Sequence, residues 1–173
     1  MLTPQVLPAL VHATISAYVS FALLHGADSA LRKRLGAGFL WFSLYSVAIG
    51  GLFASESIPA QWTLEMLCLL FAGIAATQFA DFGRLLALGD VAPVAMRRVR
   101  LGLWLFGFAL TAFGGLRIAT GHTAEASAIG FDLWIFVAFV AGVALLATAV
   151  RRKRPGATRF LVAYLLPFLP LTL

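Results

Sequence analysis

Two carboxylates stand within or at the edge of long apolar runs: Glu65 in WTLEMLCLLFAGIAATQF and Asp132 in FDLWIFVAFVAGVALLATAV. A charged side chain at membrane depth is costly unless it is paired or hydrated, so each is by default a candidate for a functional site. In the first apolar run His12, Ser16 and Ser20 are spaced i, i+4, i+8 and form a polar stripe down one helical face. His12 is the group in that stripe able to change charge near neutral pH. Arg117 and His122 flank the far end of the fourth run. If these helices meet, His12, Ser16, Glu65, Arg117 and Asp132 line one outward-facing pocket, and these five are the candidate binding residues. Glu65 shares its face with Leu69, Ala72 and Ala76, and small residues mark places where another helix approaches closely.

A plainer role is open to each of them. Serines within a span hydrogen-bond across helices or to their own backbone. Asp132, at the start of its run, suits a helix N-cap in the headgroup region. Arg117 is expected to pair with Glu65 or Glu125. Span 2 adds Ser43, Ser46 and Gly50 on one face, for which packing is the expected role.

No catalytic or metal-ligating set emerges. The chain has three histidines, His12, His25 and His122, with no HExxH and no clustered histidine set for a di-iron centre or a haem. His12 and His25 lie about 20 Å apart along one helix and cannot share a metal. There is no GxSxG and no Walker-type glycine loop, and no span contains the lysine that a retinal Schiff base needs. The single cysteine, Cys68, excludes an intramolecular disulfide and a CxxC site, and reads as a small buried hydrophobe. These residues leave the cofactor unknown.

The elements that must position these groups follow from composition. Of 173 residues 61% are hydrophobic and 12% charged, with a mean hydropathy of +0.95, far outside the range of a soluble domain. The fold class is all-α, a polytopic transmembrane helix bundle. One integral-membrane domain spans residues 1–173, with six spans at about 5–24, 36–54, 62–80, 101–119, 131–150 and 159–173. A net charge of +6 would point to nucleic acid in a soluble chain; here the basic residues fall in short clusters between apolar runs, so nucleic acid is not an expected partner.

Those clusters set the threading. The first, third and fifth loops hold twelve of the thirteen Lys and Arg, with Arg117 on the other side. The three loops are therefore expected to be cytoplasmic and both termini extracytoplasmic. The opposite face then carries Glu56, Glu65, Glu125 and Asp132 against Arg117, a surplus of three negative charges that favours cations. Trp41, Trp62, Trp104 and Trp134 all fall near span ends, where an interfacial belt places them. The N-terminus has no Lys or Arg ahead of its apolar run, so it is read as a span and not as a cleaved signal peptide.

Three stretches are less regular. The third loop, DFGRLLALGDVAPVAMRRVR, alternates apolar and charged residues and reads either as an interfacial helix broken near Pro93 or as a solvated loop. Arg34-Leu35-Gly36 leading to Trp41 and Gly50-Gly51-Leu52 is echoed by Arg100-Leu101-Gly102, Trp104 and Gly114-Gly115-Leu116, which reads either as a faint parallel repeat of spans 2 and 4 or as convergence on a basic inner end, an interfacial Trp and a glycine-rich outer half. The final run, RFLVAYLLPFLPLTL, is short and carries Pro167 and Pro170, so it is expected to be short, kinked or re-entrant, or else the natural chain continues.

No residue motif identifies a family. The layout of six spans with both ends outside is similar to that of small amide or urea channels. Basic loops followed by Trp-bearing helices resemble the membrane-sensing modules of some bacterial receptors. The expected function is a non-enzymatic subunit or binding module of a membrane assembly, whose partners are the lipid bilayer and another membrane protein or a second copy. The alternatives are a channel or transporter for a small polar or cationic solute and a membrane enzyme acting on lipid. Alanine-, leucine- and arginine-rich usage with little lysine points to a bacterial inner membrane.

Overall fold

The computed structural model describes residues 4, 6–25, 29–89, 94–122 and 125–165, and over these the regular structure is entirely helical. Six helices follow in order: α1 (Val6–His25), α2 (Ala30–Ala54), α3 (Ile58–Leu88), α4 (Val94–Ala119), α5 (Glu125–Arg151) and α6 (Ala157–Leu165). The first five are long and apolar enough to cross a membrane. The sixth has nine described residues. Pro167 and Pro170, on which the reading of a kinked or re-entrant end rests, lie outside the described residues, as does Pro93.

Local chemistry sets most of the helix ends. Ser29 caps α2 by accepting a hydrogen bond from the Arg32 amide. Pro59 sits in the first turn of α3, where a missing amide hydrogen costs nothing. Gly89, at φ 77°, closes α3 with its amide donating to the Leu85 carbonyl, and this left-handed geometry is one a side chain would resist.

The helix surfaces reverse the pattern of a water-soluble protein. Large apolar side chains such as Leu7, Val11, Ile15 and Tyr18 on α1, and Leu101, Leu105 and Phe108 on α4, point outward. Small and weakly polar residues point inward: Ala9, Ala13, Ser16 and Ser20 on α1 face Gly36, Ser43, Ser46 and Gly50 on α2. Lipid is as apolar as leucine, so helices gain by close backbone approach and interhelical hydrogen bonds instead of by hiding large side chains. Both kinds of contact join α1 to α2: Ser20 Oγ donates to the Gly36 carbonyl at 2.9 Å and Ser43 Oγ to the Ala13 carbonyl at 2.8 Å.

α3 is the hub. It packs extensively along α2 on one side and α5 on the other, and more sparsely against α4; among the described residues the extended contact of α1 is with α2. Its 31 residues exceed the run from Trp62 to Phe79, because the sequence from Asp81 to Leu88 is helix and not loop. The charges that make this segment resemble a loop are themselves turned inward, Asp81 being buried along with Phe82, Leu85 and Ala87. The core lies where α3, α4 and α5 meet. Trp134 of α5 is 1% exposed and packs with Met66, Ile74 and Phe131, so it is a core residue and not an interfacial anchor. It fits because its neighbours there are glycines: a Cβ on Gly73 of α3 would lie 2.5 Å from the indole, and one on Gly107 of α4 would clash as severely. The indole Nε1 is buried with no hydrogen-bond partner among the described residues.

A candidate anion site at the basic end of the bundle

The helices alternate in direction, so the start of α2, the end of α3, the start of α4 and the end of α5 share one end of the bundle. This is the end that carries the basic clusters. The C-terminal turn of α3 exposes carbonyl oxygens with partial negative charge, and arginines cover them. Arg84 Nη1 donates to the Gly89 carbonyl at 3.3 Å, and Arg152 Nη1, at the end of α5, donates to the Ala87 carbonyl at 3.1 Å.

One turn before this, Asp81 is buried and ligated by three guanidinium groups from three helices. Arg84 Nε on α3 donates to Oδ1 at 2.7 Å, Arg34 Nε on α2 to Oδ2 at 2.9 Å, and Arg100 Nη1 on α4 to Oδ2 at 3.1 Å. The Asp81 side chain is 6% exposed and that of Arg84 12%, while Arg34 and Arg100 are about two-fifths exposed, at 39% and 41%. Arg34 also donates from Nη1 to Gln78 Oε1 at 3.2 Å. Gln78 and Asp81 are three residues apart on one face of α3, so a single helical turn presents an amide oxygen and a carboxylate to the same arginine.

Beside this cluster is a cavity of about 390 Å³ lined by Arg34, Thr77, Gln78, Asp81, Arg97, Arg100, Leu101 and Trp104. α3 forms its floor. α2 and α4 form its walls without an extended contact between them. The lining carries three arginines against one aspartate, a surplus of two positive charges. Its remaining wall is apolar: Leu101 with the indole of Trp104, which also packs on the Trp134 core. Each guanidinium has five N–H donors, and those of Arg34 and Arg100 are only partly committed to Asp81 and Gln78. The geometry can bind an anion.

The residues singled out from sequence lie elsewhere. His12 is exposed on α1, Glu65 on α3 and Asp132 on α5, and among the described residues no hydrogen bond or ion pair joins any two of these three. Ser16 is buried between α1 and α2. Arg117, in the last turn of α4, has its guanidinium carbon 5.9 Å from the centre of the Phe113 ring. Asp81, Arg34, Gln78 and Arg100 are not among the sequence-based candidates, because a span at 62–80 stops one residue before Asp81. A usable signal is present: Gln78, Asp81 and Arg84 continue the helical spacing of the span, and Asp81 is the acid nearest the span among loops crowded with arginine.

No protein-family model, curated protein or solved structure matches this chain, so the chemistry of the site rests on its own geometry.

Proposed function

We propose that this protein is a non-enzymatic binding module of a bacterial inner-membrane assembly, and that its binding element is the arginine-lined cavity between α2 and α4. The observation that supports this reading is the Asp81 cluster: three helices converge on one carboxylate and leave a cavity with surplus positive charge beside it. Fixed charges of this kind hold a ligand and supply neither a nucleophile nor a proton relay. In the threading that the basic loops favour, this end faces the cytoplasm and both termini lie outside. Another membrane protein or a second copy completes the assembly.

The test is isolation from the native membrane in mild detergent, followed by native mass spectrometry. A non-covalent adduct retained by the wild-type protein and lost from Arg100→Gln supports the reading, and a co-isolated membrane protein identifies the partner. Chemical conversion of the adduct would replace it with an enzyme. Solute flux in proteoliposomes that is abolished by Glu65→Gln or His12→Ala would replace it with a transporter using the opposite end.

A further inference from the structure

We infer that the ligand of this cavity carries a phosphate group. The inference rests on the binding-module reading and adds to it the ligand's chemical class. Arg34 on the α2 wall and Arg97 and Arg100 on the α4 wall line the cavity, and Asp81 offsets only one of their charges. A tetrahedral phosphate has several acceptor oxygens to distribute among guanidinium forks on two walls; a carboxylate has two in one plane. Arg97 lines the cavity on an exposed turn of α4, three residues before Arg100, and forms no ion pair with Asp81 among the described residues. Its charge serves the cavity without belonging to the cluster that joins the helices. On the α4 wall Arg97 and Arg100 are followed by Leu101 and Trp104, and an indole beside arginines at a span end suits the depth at which headgroup phosphates meet acyl chains.

Two sources supply this chemistry, a phospholipid headgroup entering sideways between α2 and α4 and a water-soluble phosphate ester arriving from the aqueous phase. The full chain in phosphatidylcholine nanodiscs separates them. One arm adds phosphatidylglycerol or oleate in small mole fraction and reads the retained lipid by native mass spectrometry. A second arm titrates inorganic phosphate and glycerol 3-phosphate by calorimetry. Arg97→Gln removes a cavity charge while leaving the Asp81 cluster whole, and Arg154→Gln removes an exposed charge outside the cavity.

Retention of phosphatidylglycerol over oleate, falling about fivefold in Arg97→Gln and unchanged in Arg154→Gln, supports a lipid phosphate. Binding of the soluble esters with the same dependence on Arg97 supports a free phosphate. Equal losses in both variants assign the preference to diffuse surface charge and overturn the inference. Oleate retained as well as phosphatidylglycerol also overturns it and leaves the binding-module reading standing. No retained ligand of any kind, in the native isolate or in nanodiscs, overturns both.

Discussion

Replacing Asp81 by asparagine keeps the shape of the side chain and removes the one negative charge that three arginines share. The cost can be worked from the exposure of each partner. Breaking a fully buried ion pair costs about 3–5 kcal/mol, because the remaining charge is stranded. Only Arg84, at 12% exposure, approaches that regime. Arg34 and Arg100, at 39% and 41%, can turn toward water or headgroups, so their contacts belong with the exposed pairs worth about 0.2–1 kcal/mol each. One discounted buried contact and two half-exposed ones give about 3 kcal/mol for Asp81→Asn. Arg84→Met leaves Asp81 two partners and is expected to cost about 1–2 kcal/mol. Once Asp81 is neutral, Arg84 has less to lose, so the double variant should cost at least about 1 kcal/mol less than the sum of the singles. Reversible unfolding by sodium dodecyl sulfate in mixed micelles, followed by circular dichroism, measures all three. An Asp81→Asn protein within about 0.5 kcal/mol of wild type, or an additive double variant, would refute the claim that this cluster joins the three helices.

Further outcomes follow from the packing and the threading. Gly107→Ala drives a methyl group into the Trp134 indole and should destabilise by about 1–3 kcal/mol, whereas Gly102→Ala, with open space around it, should be close to neutral; the same unfolding assay compares them. Ser20→Ala and Ser43→Ala each remove one interhelical hydrogen bond and should cost about 0.6 kcal/mol apiece, adding without coupling if they act at separate points of the α1–α2 contact. In a Cys68→Ala background, Lys153→Cys should react with an impermeant maleimide only from the cytoplasmic side and Glu56→Cys only from the outside; the reverse result inverts the proposed topology. Phosphatidylglycerol retention should fall as salt rises from about 0.1 to 1 M, where the screening length shrinks from about 10 to 3 Å. Retention that ignores salt would point to apolar contacts alone.

The bundle was legible in the sequence because a membrane leaves so few options: every backbone group must be satisfied within its own helix, so each long apolar run is a helix. The interior was less legible. Ser16 and Ser20 read correctly as a stripe turned toward a neighbour, but His12, at the same spacing, falls just outside it, since the buried line on α1 passes through Ala9 and Ala13. Trp134 shows why Trp position is a poor guide: the same residue at a span end suits a headgroup belt or a core, and the choice depends on glycines of two other helices. Asp81 could be read as a loop charge only while its partners were unknown, and Arg34 and Arg100 are nowhere near it in the chain.

The ion pairs of Asp81 also carry a chronology. Arg84 is on the same helix, so α3 leaves the ribosome with a counter-ion within one turn of its own acid. Arg34 belongs to a helix already made by then, and the α2–α3 hairpin can bring it to Asp81 before α4 has emerged. Arg100, on α4, comes last. A carboxylate that must enter or border the hydrocarbon is therefore never without a partner during synthesis. The last arginine to arrive does not rescue a stranded charge; it closes the third wall around a pair already formed.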